Sequence, residues 1–92
     1  MRGSAAYGIG PNVGHVHDAG RWYVARLPEG PPMVLTDSAA LIWGHALGGG
    51  TRSEIAGRVA AAVGLRADDI IDDVEAFLDE LVAHGVLVHH DV

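Results

Sequence analysis

The sequence predicts an α+β, winged helix-turn-helix-like domain: a three-stranded antiparallel β-sheet followed by a three-helix bundle. Three observations carry that expectation. Residues 13–35 hold short runs of strand-forming and alternating residues divided by turn signals. A Thr-x-x-Glu capping box at Thr51 opens an apolar pattern of helical period. Residues 70–82 then repeat one apolar stripe on an acidic background.

Met1 to Asn12 is rich in Gly, Ala and Ser and shows no period, so residues 1–12 read as a flexible N-terminal tail whose first four residues fit a cloning remnant. Val13 to Asp18 sets Val13, His15 and His17 on one face against Gly14, Val16 and Asp18, and Ala19-Gly20 marks a turn. Arg21 to Leu27 has strand content, with Trp22, Val24 and Arg26 opposite Tyr23, Ala25 and Leu27. Pro28-Glu29-Gly30-Pro31-Pro32 breaks the chain, and Met33-Val34-Leu35 makes a brief third strand. Prolines just before it weaken pairing at its start, as suits an edge.

Thr36 or Asp37 caps a helix through Trp43, which Gly48-Gly49-Gly50 ends. After the Thr51–Glu54 box, Ile55, Val59 and Val63 recur every four residues among alanines, and Gly64 stops the run. The third helix spans Ala67 to His84, with Ile70, Val74, Phe77, Leu78 and Leu81 in one stripe. Asp68 and Asp69 favour the positive end of its dipole; Gly85 terminates it. Val86-Leu87-Val88 is either a last strand or an extended tail, and residues 89–92 read as a C-terminal tail around a 13–88 domain.

Size and charge bound the function. A chain of 92 residues holds one core. It has no Cys, which removes disulfides, thiolate metal sites and a Cys nucleophile. Nothing like a signal peptide opens it, and no apolar run approaches a membrane span, so a cytoplasmic address without membrane partners is expected. The net charge is −6, all six cations are Arg, and seven of the twelve acids fall in residues 68–80. Those acids would repel a nucleic acid. The ordinary reading of them is a solvated helix face.

Competing chemistry is thin. His15-x-His17 and His89-His90 invite a metal, but no third ligand stands at a suitable spacing, and no metal or cofactor is expected. Ser38 and Asp37 are explained by a helix start, and no nucleophile elbow is present. Gly8-x-Gly10 neither follows a strand nor opens a helix, so it is no phosphate cradle. An exposed array of carboxylates has no means of separating their pKa values. The expectation is therefore a non-enzyme. A winged-helix DNA reader would place the third helix in the groove, where there is no Lys or Arg, leaving only Arg21 and Arg26 as phosphate clamps. A protein–protein adaptor built on Trp43 and the small-residue face from Ala56 to Ala62 is a further alternative.

The runs 33-MVLTDSAALIW-43, 51-TRSEIAGRVAAAVG-64 and 68-DDIIDDVEAFLDELVAHGVL-87, with Trp22-Tyr23-Val24 before them, resemble PqqD and its relatives, the recognition elements of ribosomally synthesised, modified peptides. Here Arg66, which cannot accept a capping hydrogen bond, precedes the third helix, and Pro28 to Pro32 lengthens the second connection. The resemblance implies that the domain holds the leader of a precursor peptide and presents it to a modifying enzyme or leader peptidase. Quinone-cofactor, lasso and radical-modified products are all compatible with it. The leader would lie along Met33, Val34 and Leu35, in a groove walled by Asp69, Ile70, Asp73, Phe77 and Glu80, with Phe77 open between core and groove. Strand addition supplies the physics: an edge offers unpaired backbone groups, and alternate peptide side chains enter pockets. A monomer or an edge-strand dimer is expected.

Overall fold

The computed structural model describes residues 6–90. Its elements are β1 (Ala6–Ile9), β2 (Val13–Asp18), β3 (Arg21–Arg26), β4 (Met33–Leu35), α1 (Asp37–Ala46), β5 (Gly50–Thr51), α2 (Arg52–Val63), α3 (Ala67–Ala83) and β6 (Leu87–His90). The expected α+β class holds: β2, β3 and β4 form an antiparallel sheet in that order, and three helices follow it. A second sheet is added, ordered β5-β1-β6.

That second sheet corrects both tails. Ala6 to Ile9 pair antiparallel with Leu87 to His90, Ala6 facing His90 and Ile9 facing Leu87. Tyr7 is buried, and its ring stacks on His89 at 4.4 Å. Residues 6–9 and 89–90 are therefore strand rather than tail; residues 1–5 and 91–92 lie outside the described residues. A four-residue strand with two large apolar side chains, Tyr7 and Ile9, is too short to establish a period, and its partner lies at the other end of the sequence. Gly50, expected only to end α1, opens β5 opposite Tyr7.

The helices follow their local chemistry. The α2 capping box is complete: the Glu54 amide donates to Thr51 Oγ1 at 3.2 Å and the Thr51 amide to Glu54 Oε1 at 2.8 Å. Gly64 ends α2 with φ +74, a left-handed conformation that costs glycine little. Thr36 stands at the α1 N-cap without a capping bond from its side chain, and Arg66 does the same for α3. Arg58 fastens the α1–β5 turn by donating to the carbonyls of His45 at 2.9 Å and Gly49 at 2.5 Å.

One core serves all layers. Trp43, Ile55, Leu78, Leu81, Leu87, Val24, Val74 and Val86 are fully buried, so α1, α2, α3, β3 and β6 share it. Val63, expected on the buried stripe of α2, is instead 47% exposed, because the helix runs past the core in its last turn. No described helix is long and apolar enough to cross a membrane.

Candidate functional site

β4 is an outer strand: β3 covers one side of it and no strand covers the other among the described residues. Which backbone groups face outward follows from the ladder. The Leu27 amide donates to the Asn12 carbonyl, and hydrogen-bonded pairs alternate along an antiparallel ladder, so Gly14, Val16 and Asp18 bond to β3. On β3, Trp22 and Val24 then bond the other way, to Leu35 and Met33. This leaves the Val34 N–H and C=O directed to the open edge. The Val34 side chain is exposed, Met33 is half-buried and Leu35 is in the core.

Two cavities take in residues of the expected groove. One, of about 420 Å³, is bounded by Ser38, Ala39, Leu41 and Ile42 of α1, Val59 and Val63 of α2, Leu65, and Ile70, Asp73, Val74 and Phe77 of α3. The other, of about 510 Å³, lies under the 26–32 segment and is bounded by Met33 on one side and His84 and Val86 on the other. Met33 thus borders the cavity near the end of α3, and the early turns of α3 border the other.

The expected site residues divide. Met33, Ile70, Asp73 and Phe77 line the cavities, and Val34 presents the free edge. Phe77 is half-buried: it packs against the core and walls a cavity at once. Leu35 offers the edge neither group: its side chain is buried and its backbone pairs with Trp22 of β3. Asp69 and Glu80 are exposed on α3 and border neither cavity. Ser38 and Ala39 of α1, with Val63 and Leu65, also line the apolar cavity and are not among the expected site residues. Leu65 is 54% exposed just after the Gly64 stop, an apolar residue with no helical position to fill; that was the available signal.

The electrostatics of the α3 wall are acidic. Asp68, Asp69, Asp72, Asp73, Asp79 and Glu80 are exposed, whereas Glu75 pairs with Arg52 of α2. Two of the six histidines stack beneath the sheet: His17 lies on Trp22 at 4.5 Å, and His15 sits between Trp22 at 5.3 Å and Trp43 at 6.0 Å.

No curated protein and no solved structure matches the chain. A family model does. That of coenzyme PQQ synthesis protein D (PqqD) matches residues 26–87, from the end of β3 through all three helices to the start of β6.

Proposed function

We propose, from the premise that the chain belongs to the PqqD family, that it binds the leader region of a ribosomally synthesised precursor peptide and delivers it to a modifying enzyme or leader peptidase. The mechanism is binding without catalysis. The peptide adds as a strand beside β4 and satisfies the Val34 N–H and C=O. Alternate side chains turn inward, to the apolar cavity beside Ile70 and Phe77 and to the hollow beneath Pro31 and Pro32. Asp73, exposed at the mouth of the apolar cavity, favours a basic neighbour in the peptide. The domain thereby raises the local concentration of substrate at its partner.

The observation that carries this reading is the free β4 edge at Val34, with one cavity bordered by Met33 and another by Ile70, Asp73 and Phe77 of α3. Its test is a titration of the labelled leader of the precursor encoded beside the gene, followed by fluorescence anisotropy, with a DNA duplex in parallel. Saturable binding to the leader at about micromolar concentration, near 8 kcal/mol, and none to the duplex is the expected outcome. Val34→Pro removes the outward amide and is expected to abolish that binding with the helical circular dichroism intact. Normal affinity in that variant would refute the site.

A further inference from the structure

Resting on the strand-addition reading above, we infer that the hollow bounded by Arg26, Met33 and His84 is a carboxylate subsite, which takes an Asp or Glu side chain of the bound peptide on the Arg26 guanidinium. Cations are scarce in this acidic chain, and most of the described arginines are already engaged. Arg52 pairs with Glu75, Arg66 pairs with Asp68, and Arg58 donates to the His45 and Gly49 carbonyls. Arg21 stands across from Asp18 beside the Ala19-Gly20 turn. Arg26 pairs with no carboxylate among the described residues, and it lines a cavity of about 510 Å³. Glu29 shares that lining without forming an ion pair with Arg26.

The fold holds the guanidinium in place. A Cβ on Gly85, at φ +78, would lie 2.7 Å from Arg26 Cδ and 2.8 Å from its Nη1, so the side chain is laid against the backbone that ends α3. The negative end of a helix dipole suits a cation, which accounts for the position of Arg26 but not for its donors. The carbonyls of Glu80, Leu81 and Val82 already accept from the amides of His84, Val86 and Gly85. The N–H groups of a guanidinium form a fork that holds a carboxylate by parallel bonds. His84, on the same lining, can add a ring N–H. The course of the peptide puts an acid within reach. Met33 stands across from Val24, on the inward face of β3 that Arg26 continues two residues later. Cross-strand neighbours share a face, so the peptide residue beside Met33 turns inward as Met33 does, toward this hollow. Asp73 lines the other cavity, and the two subsites therefore ask for opposite charges.

The probe is the labelled leader of the precursor encoded beside the gene, titrated against the full chain with each leader Asp or Glu changed in turn to Asn or Gln. One such change is expected to weaken binding roughly tenfold. Arg26→Gln is expected to weaken the unaltered leader by the same factor, with circular dichroism unchanged. It should also be indifferent to that one leader change, as coupled partners are in a double-mutant cycle. Arg26→Lys, which keeps a stem and the charge, is expected to restore part of the loss. The leader series on the wild-type chain and on Arg26→Lys carries the test where Arg26→Gln disturbs the fold. Unaltered affinity in Arg26→Gln overturns the inference, as do losses that simply add and a leader none of whose acids matters. Those results leave leader binding at β4 standing, because Val34→Pro tests it separately. A wild-type chain that binds no leader refutes the two together.

Discussion

A Cβ on Gly10 would lie 2.6 Å from the backbone carbonyl oxygen of Gly85, and the Gly10 amide itself donates to the Val86 carbonyl at 3.0 Å. Close backbone approach, rather than any ligand, is what the second glycine of Gly8-x-Gly10 provides. Gly10→Ala must push the end of β1 away from the 85–86 turn, at a cost of about 1–3 kcal/mol, read as a lower urea midpoint. Three residues earlier, Tyr7 shows how burial acts on an ionisable group. Burial raises its hydroxyl above the usual 10.0; the neighbouring Arg52 guanidinium opposes the shift and the Asp79 carboxylate adds to it. The unfolded phenol therefore loses its proton first as pH climbs. Its contribution to stability is complete below about pH 10 and disappears as pH rises through the folded value. Thermal melts should weaken across that range in the wild type and less so in Tyr7→Phe.

Elements differ in how much of themselves they carry in sequence. α2 carries its own start, since Thr51 and Glu54 satisfy each other's amides; Thr51→Ala should cost about 1 kcal/mol in urea titrations. α3 carries its buried face in Val74, Leu78 and Leu81, and its stop in Gly85 at φ +78. β4 was legible because Pro31-Pro32 and three apolar residues describe an edge. β1, β5 and β6 were not, because strands of two to four residues take their identity from partners far along the chain. The groove was half legible for the same reason. The Ile70–Phe77 stripe announces an α3 wall, but helical period alone cannot say that Val63 and Leu65 overrun the core and close a cavity. Nor can it say that Asp69 and Glu80 turn away from that cavity.

The molecule as a whole depends on a core to which all three helices and both sheets contribute, so unfolding should be a single cooperative transition. Leu78, fully buried on α3 among those layers, tests this: Leu78→Ala should cost about 2–5 kcal/mol. The loss should appear equally in near- and far-ultraviolet circular dichroism; separate transitions would mean that the β5-β1-β6 sheet melts on its own. That sheet has one more consequence. Because Ala6 stands across from His90 in the β1–β6 ladder, the two ends of the described chain emerge side by side. A few glycines joining them would close the backbone into a ring without crossing the β4 edge or the α3 wall. Such a cyclised chain loses entropy mainly when unfolded, so it should resist denaturant better than its open form while keeping the same peptide affinity.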